Sequence, residues 1–373
     1  MRSICLLLVA LGGILFCLVL NFRTYPTKTA IEIQKKSETD ILNFSESSIA
    51  QTKSEEKFEK PDQKIEEDFS WIGREARPLL RDSWEASVTA GYLYLWTDVD
   101  DLAYAIQSDG RKSKFLNPKI LPDNGFKLGV GIYLPHDGWD FAFNLTHLHA
   151  RAPVHAQGHL TPQWILPSDT PNGFVDAVEA HWRLHLGLVD MELGRAFFLG
   201  RSLTMRPHIG MRYAIIRQKY LLYYIGGNLF PEGEDYVSMK NKFLAPGVRV
   251  GSDFAWKIKG GFGLYSKLAA ALLYGSVYVH ESEKVSFKEE KSSNLFDKFP
   301  MGKPILDIEA GVQWERPIFG HRYHLLLQAG CEMHLFFSQN QLFHFNSASN
   351  PYFLSSQGDM SIQGLSISGT FSY

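Results

Sequence analysis

The sequence FKLGVGIYLPHDGWDFAFNLT, residues 126–146, holds two runs of alternating apolar and polar residues on either side of the turn PHDG. Every second residue is apolar from Phe126 to Leu134 in the first run and from Trp139 to Leu145 in the second. A period of two predicts a β-hairpin with one apolar and one polar face. The apolar face packs on a second sheet in a soluble sandwich, whereas it meets lipid in a membrane barrel.

The same pattern recurs along the chain and predicts about ten strands. Besides the hairpin, the predicted strands cover residues 84–96, 177–197, 203–215, 244–256, 262–274, 304–314 and 323–335 and a last segment that ends at Tyr373. Short turns such as KGG at 259–261 alternate strictly with long segments, which lie at 97–124, 150–175, 218–241, 280–303 and 338–359. This alternation predicts an all-β, transmembrane, up-and-down antiparallel β-barrel with short periplasmic turns and long external loops. A hairpin hidden in 97–124 or 218–241 would raise the strand count to twelve.

One predicted strand, residues 177–197, changes its phase. Its apolar residues are even-numbered up to Leu188 and odd-numbered from Val189 onwards. A one-residue slip within a strand predicts a β-bulge. Two shorter strands joined by a tight turn would give the same pattern.

Aromatic residues near the strand ends favour a membrane barrel over a secreted soluble β protein, because such residues form the interfacial girdles of a barrel. They are Trp84, Trp96, Trp139, Trp182, Trp256, Tyr274, Trp314, Tyr323 and Tyr373. The apolar faces are therefore predicted to contact outer-membrane lipid. A closed sheet would also satisfy every backbone hydrogen-bonding group without water.

Composition restricts the domain organisation and the partners. The 373 residues carry a net charge of −2, which argues against a nucleic-acid partner. Residues 1–21 contain a long apolar run and are predicted to be a signal peptide or membrane anchor. Residues 22–80 are predicted to be a polar, largely disordered linker, and residues 81–373 the barrel. Cys331 is the single cysteine of the predicted barrel, which leaves no pair for a disulfide there.

The polar faces of the predicted strands supply candidates for lining a pore. These are Lys127, Asp140, Glu179, Arg183, Arg206, His208, Arg212, Arg249, Asp253, Lys267, Asp307, Glu309 and Glu332. Because both signs of charge are present, weak ion selectivity is expected if a path exists. A barrel of about ten strands leaves a narrow interior. The first hypothesis is an outer-membrane pore for passive diffusion of ions and small solutes, and the alternative is a closed barrel whose loops act in adhesion or envelope structure.

Enzymatic and metal chemistry have weaker support. No nucleophile, cofactor or metal motif is evident, so no catalytic residue, cofactor or metal ligand is predicted, and the chain is not expected to be an enzyme. Asp98, Asp100, Asp101 and His149 near the external rim leave a barrel enzyme as a third hypothesis. His181 and His185 could form a metal or proton site or simply line the lumen. Asp307 and Glu309 could form an acid–base pair, although ion pairing with nearby cations is favoured.

Four tracts also resemble a known family. They are GVGIYLPHDGWDFAFNLTHLH (129–149), VDMELGRAFFLGRSLTMRPHIGMRYAIIRQKY (189–220), LAPGVRVGSDFAWKIKGGFGLYSKLAAALLYG (244–275) and GDMSIQGLSISGTFSY (358–373). Together they resemble the major-outer-membrane-protein-like family of Legionella and the environmental chlamydiae. The resemblance implies a pore-forming β-barrel in the bacterial outer membrane, with lipid, ions and small solutes as partners. It leaves homo-oligomer formation open and identifies no individual functional residue.

Overall fold

A computed structural model of the chain describes residues 84–108, 112–135, 138–165, 173–199, 202–286, 292–318, 323–345, 353–355 and 357–373. The predicted signal or anchor and the predicted linker lie outside these residues, so both stay predictions. No helix in the described ranges is long and apolar enough to cross a membrane.

Most of the described residues lie in β-strands. In chain order these are β1 (Glu85–Val99), β2 (Ala105–Ser108), β3 (Ser113–Leu116), β4 (Asp123–Tyr133), β5 (Trp139–Pro162), β6 (Val175–Arg195), β7 (Phe197–Leu199), β8 (Leu203–Gly226), β9 (Phe230–Lys259), β10 (Phe262–Val285), β11 (Ser292–Ile318), β12 (Tyr323–Asn340), β13 (Phe343–Phe345), β14 (Phe353–Ser355) and β15 (Gly358–Ser372).

Ten of these strands close into an antiparallel barrel. Their order around the wall is β1, β4, β5, β6, β8, β9, β10, β11, β12 and β15, and β15 pairs with β1 to complete the ring. The opening hairpin is β4–β5, in which Lys127 lies opposite Thr146 and Gly131 lies opposite Ala142. The predicted fold class is therefore confirmed. The count is ten because β2 and β3 form a small hairpin that pairs with the far end of β5 and adds no strand to the wall.

The wall strands on the long-connection side extend further than the sequence pattern predicts. Strand β5 continues to Pro162, and β8 and β9 continue until only residues 227–229 separate them. Likewise β10 and β11 occupy most of the predicted long segment 280–303. The sequence pattern did not predict these extensions because their apolar residues face inward instead of outward, as β6 shows most clearly.

No bulge and no turn interrupts β6. Its pairing with β5 and β8 keeps one register from Ala177 to Gly194. Inward-facing side chains are even-numbered throughout, and they change from apolar Leu186 and Leu188 to acidic Asp190 and Glu192, all buried. The predicted bulge or turn is therefore wrong. The change of phase instead marks the level at which the surroundings of the barrel change from water to lipid.

We call the part next to the short turns the membrane half. It comprises residues 85–92, 126–133, 139–146, 187–195, 203–215, 244–259, 262–272, 304–318, 323–335 and 363–372 of the ten wall strands. Here the large outward-facing side chains are apolar and exposed, for example Val130, Phe143 and Met211. Lipid covers such a surface at little cost, and the inward face can be polar.

The remaining parts of the wall strands form the external half, where the pattern is the reverse. The outward face carries many charged and polar residues, and the inward-facing residues form an apolar core that includes Trp182, Tyr220, Phe243, Leu273 and Phe336, each at most 1% exposed. A β-barrel surrounded by water must bury its apolar side chains inside itself. The molecule therefore has a polar interior in the membrane half and an apolar interior in the external half.

Candidate functional site

Charged side chains fill much of the interior of the membrane half. All but two of the predicted lumen residues lie there: Lys127, Asp140, Arg206, His208, Arg212, Arg249, Asp253, Lys267, Asp307, Glu309 and Glu332. They project from seven different wall strands, so the pairs that they form connect distant parts of the barrel. The pairs fall into three groups, each organised by one or two cations.

The first group surrounds Arg206 on β8. Its Nε lies 2.8 Å from Oδ2 of Asp140 on β5, and its Nη1 lies 2.8 Å from Oδ2 of Asp253 on β9. The same Nη1 is 3.3 Å from Oε2 of Glu192. His208 stands beside this group, with its ring nitrogens 3.8 Å from Glu192 and Asp253. One guanidinium thus joins carboxylates from three strands.

The second group crosses the lumen through Arg212. Its Nε and Nη2 donate to the two oxygens of Asp190 at 2.6 and 2.7 Å. Nη2 is also 2.8 Å from Oδ2 of Asp307, which belongs to β11, three strands away around the wall. Arg249 supports the group by pairing with Glu192 and by lying 3.5 Å from Asp307. A bidentate guanidinium–carboxylate pair of this kind is both strong and directional.

The third group centres on Glu309 of β11. Tyr265 donates its hydroxyl to this carboxylate at 2.9 Å, and Lys267 lies 3.4 Å from it. Lys127 reaches across from β4 to Glu309 at 3.3 Å and also pairs with Glu332 on β12. The expected ion pairing of Asp307 and Glu309 is therefore confirmed. Neither carboxylate is arranged as half of an acid–base pair, because each is held by its own cations.

Two predicted lumen residues lie elsewhere. Glu179 and Arg183 are on the outward face of β6 in the external half, where Glu179 is 3.4 Å from His155. His181 and His185 share this outward face, so the proposed lumen-facing histidine site is also wrong. The prediction assumed one inside–outside rule for the whole strand, and the rule reverses at Leu188. Among the described residues, no group of three or more His, Cys, Asp or Glu side chains is arranged to hold a metal ion.

Several interior residues were on the predicted polar faces but were not selected as candidates. Asp190, Glu192 and His334 all join the ion-pair groups, and His334 Nδ1 is 2.7 Å from Asp307 Oδ1. Their alternation with apolar neighbours in the sequence could have identified them as inward-facing. Tyr265 shares the inward face of β10 with Lys267, and its link to Glu309 depends on the pairing of β10 with β11.

The interior of the membrane half holds a cavity of about 930 Å³. It extends from Glu85, Lys257 and Glu315 at the short-turn end to Arg212 and Asp307 at its inner end. Its described lining includes none of Trp182, Tyr220 or Phe243 of the external core. The polar cavity therefore faces the periplasmic end and stops where the apolar core begins.

Two chain segments close the external half from within. We call them the plug: residues 100–104, which follow β1, and residues 339–342, at the end of β12. Tyr220 and Tyr224 of β8 donate their hydroxyls to the carbonyls of Leu102 and Tyr104 at 3.0 and 2.8 Å. The Trp164 indole donates to the carbonyl of Ala103 at 2.7 Å.

The second plug segment is held by side chains of β9 and β11. Lys303 of β11 and Asn241 of β9 each donate to the carbonyl of Gln339 at 3.2 Å. Asn340 then donates to the carbonyl of Asp100 at 2.9 Å, which joins the two segments. Leu102 and Leu342 are 1% and 2% exposed within the core. The plug therefore fills the interior at the external end.

Acidic residues are also buried at this end. Asp235 and Glu281 are 0% and 6% exposed, and neither forms an ion pair with a cation in the part of the chain that the structure describes. Burial, and then repulsion from Glu283, raises the pKa of Asp235 to about 8. The same two causes raise the pKa of Glu281 to about 8. Both groups are therefore largely protonated at neutral pH.

These shifts predict a pH dependence. In the unfolded chain the two groups titrate near pH 4, so the folded barrel binds more protons between about pH 4 and pH 8. Stability is therefore expected to fall as the pH rises through this range. Replacing Asp235 with Asn should raise the melting temperature at pH 8 by about 5 °C and leave it nearly unchanged at pH 4. The melting temperature is read as the temperature at which the heat-modifiable gel band is lost.

A matched control lies next to this residue. Glu234 is exposed on the outer face of the same strand. Glu234→Gln removes the same charge and should leave the pH profile of the wild-type chain unchanged. An equal effect of the two substitutions would show that net charge, and not the buried carboxyl, causes the pH dependence.

Comparison with known proteins places this architecture in a family. The family model of the Legionella pneumophila major outer membrane protein precursor matches residues 76–373. No curated protein matches the chain. Among solved structures, the outer membrane protease OmpT of Escherichia coli has 11% identity, covers 78% of this chain and 96% of its own, and gives a TM-score of 0.34.

Two further barrels are similar at the same low level. A major outer membrane protein of Thermus thermophilus has 9% identity, with 78% of this chain and 100% of that chain covered and a TM-score of 0.30. A FadL homologue of Pseudomonas aeruginosa has 9% identity, covers 78% and 90%, and gives a TM-score of 0.25. Similarities this weak carry no argument about function. The family match spans the whole barrel, however, and the chain belongs to the family of the Legionella pneumophila major outer membrane protein and is a bacterial outer-membrane β-barrel.

Proposed function

We propose that the barrel is closed to passive diffusion in its resting state and serves the outer membrane as an envelope or surface protein. The observation that supports this most is the apolar core, with the plug, inside the external half. The polar cavity of the membrane half ends below that core. A solute that entered from the periplasmic end would meet a layer of closely packed apolar side chains, and buried polar groups such as Asn241 and Lys303 are already engaged in holding the plug.

Physical chemistry makes such a layer an effective barrier. Transfer of an unpaired ion into an apolar, close-packed interior costs far more than thermal energy supplies. Hydrophobic constrictions stop conduction by excluding water even where they are not fully packed. Here the layer is packed, since Trp182 and Tyr224 are both 0% exposed. The lumen of the membrane half is then a polar interior stabilised by ion pairs rather than one half of a channel.

A diffusion pore for ions and small solutes is the second candidate. The polar cavity of about 930 Å³ and the cations and anions along it favour this role. It requires displacement of the plug, and the mixed signs of the lining predict weak selectivity. A homo-oligomer is compatible with both functions, and light scattering on the refolded protein measures it.

We also propose that the chain has no enzymatic role. The rim residues that would be needed for a barrel enzyme point in different directions. His149 faces outward from β5 and contacts the rings of His147 and His185. Asp100 belongs to the plug, where its carbonyl accepts from Asn340. Asp100→Ala and His149→Ala should therefore leave any hydrolytic background of the preparation unchanged.

Conductance tests the proposed function directly. The full-length chain, refolded and added to a planar lipid bilayer, is expected to insert without discrete current steps. Protection of the membrane half from added protease shows that insertion has occurred. Current steps that scale with salt concentration in a protease-protected sample would contradict the closed barrel and establish the pore.

A further inference from the structure

A compact group of basic side chains lies on the outer wall of the external half, on β6, β8 and β9. We call it the basic block, and it consists of Arg183, His185, Arg217, Lys219, Lys240 and Lys242. Five of the six are exposed and Lys242 is partly exposed. None forms an ion pair within the described residues.

Strand register fixes the arrangement of the block. His185 lies opposite Arg217, which lies opposite Lys242. Two residues further along, Arg183 lies opposite Lys219, which lies opposite Lys240. The six residues therefore form two rows of three on neighbouring strands. Adjacent strands are about 4.8 Å apart, and residues i and i+2 are about 6.7 Å apart along a strand.

Such an arrangement is unfavourable without a counter-charge. Like charges directly opposite each other on a sheet repel and destabilise the pairing. The pKa of His185 reflects this setting, since partial burial and then the neighbouring histidines and arginines lower it. The block thus presents a dense positive surface that an anion with several oxygens would stabilise.

The position of the block identifies the anion. On β8, the outward-facing apolar residues Met211, Tyr213 and Ile215 of the membrane half are followed on that face by Arg217 and then Lys219. On β9, Leu244 and Lys242 stand in the same relation. The basic block therefore begins where the lipid-facing surface ends, at the level of the lipid headgroups on the external side.

We infer that the basic block binds the phosphate groups of an anionic lipid in the outer leaflet of the outer membrane. The planar guanidinium groups of Arg183 and Arg217 suit phosphate oxygens, and the lysines add point charges around them. Clusters of Lys and Arg beside a membrane attract anionic lipids in this manner. The lipid acyl chains would lie on the apolar outward face of the membrane half, directly below the block.

Competitive retention of two lipids tests this inference. The full-length protein, refolded in a neutral detergent, is incubated with equimolar bis-phosphorylated lipid A and its dephosphorylated form. Mass spectrometry of the re-isolated protein gives the ratio of the two lipids. The wild-type chain should enrich the phosphorylated form. The variant R183Q/R217Q/K219Q/K242Q should lower that enrichment about tenfold or more.

A control variant separates a site from a general charge effect. K112Q/K114Q/K119Q/K284Q removes the same charge from exposed residues of the external side that lie outside the block. It should keep the wild-type ratio. Equal loss in the two variants, or no preference of the wild-type chain for phosphate, would overturn the inference.

Two further measurements keep the test decisive. Heat-modifiable mobility shows whether each variant is folded, and R217Q/K242Q provides a milder version if the quadruple variant is not. Inorganic phosphate at millimolar concentration is added as a competitor. Loss of the lipid preference in its presence would assign the block to a soluble anion and reject the lipid. Persistence of the preference supports the lipid, whichever way the conductance experiment turns out.

Discussion

Replacing Trp164, Tyr220 and Tyr224 with alanine is expected to change a silent barrel into a conducting one. The three side chains hold one plug segment through hydrogen bonds to the carbonyls of residues 102–104. They also fill a large share of the apolar layer themselves, since Tyr220 and Tyr224 are 1% and 0% exposed. Their removal leaves unpaired carbonyls and a void that water can enter.

The location of the lost stability separates this effect from a general destabilisation of the barrel. Each buried aromatic residue truncated to alanine costs about 3–5 kcal/mol of local stability. The loss falls on the external half, because the ion-pair groups and the strand pairing of the membrane half do not involve these residues. The variant should therefore still insert, yet its planar bilayer recordings should show salt-dependent steps where the wild-type chain shows none.

The outer face of the same strands offers a control. Tyr223 and Tyr236 lie opposite each other on β8 and β9, with ring centroids 4.9 Å apart, and point away from the core. Tyr223→Ala/Tyr236→Ala should insert and stay silent. If the plug variant also stays silent while protease-protected, residues 100–104 are not what closes the barrel. Currents in both variants would point to general loosening of the wall.

Period-two alternation located all ten wall strands and the side from which residues such as Arg206 and Glu309 project. It did so because side-chain direction in a strand depends only on parity. The strict alternation of short and long connections then gave an up-and-down barrel without any knowledge of long-range pairing.

The same parity rule assigned the wrong face in the external half, where water and not lipid surrounds the barrel. Parity shows which residues share a face, but the identity of that face depends on what lies outside the wall. On β6, Arg183 and Asp190 look alike as polar residues next to apolar ones, yet one faces water outside and the other faces Arg212 inside. The sequence pattern could not predict the plug either, because its hydrogen bonds are accepted by backbone carbonyls and link residues more than a hundred positions apart.

The sequence predicted that ion pairs form across the lumen, but it did not predict which residues pair with each other. Lys127 and Glu332 are 205 positions apart, and closure of the ring brings them together. Their pairing depends on strand tilt and side-chain length, which parity does not encode. The choice of partners nevertheless decides which single substitution harms the barrel most.

Arg212→Met is expected to destabilise the membrane half more than any other neutralisation of one interior charge. Arg212 is 3% exposed and holds both oxygens of Asp190 and one of Asp307. Removing one partner of a buried pair leaves an uncompensated charge and costs about 3–5 kcal/mol. For a barrel of this size that corresponds to a fall in melting temperature of about 10 °C, read from heat-modifiable mobility.

The neighbours of Arg212 make the cause testable. Without the arginine, Asp307 keeps His334 at 2.7 Å and Arg249 at 3.5 Å, whereas Asp190 keeps only Arg249, at 3.9 Å, among the cations of the described residues. The stranded charge is therefore that of Asp190, and Arg212→Met/Asp190→Asn should recover most of the lost stability. Lys257→Met, which breaks a half-exposed pair with Glu315 at the short-turn end, should cost at most about 1 kcal/mol. A double variant as unstable as Arg212→Met would mean that packing around the guanidinium, and not its charge, supports the wall.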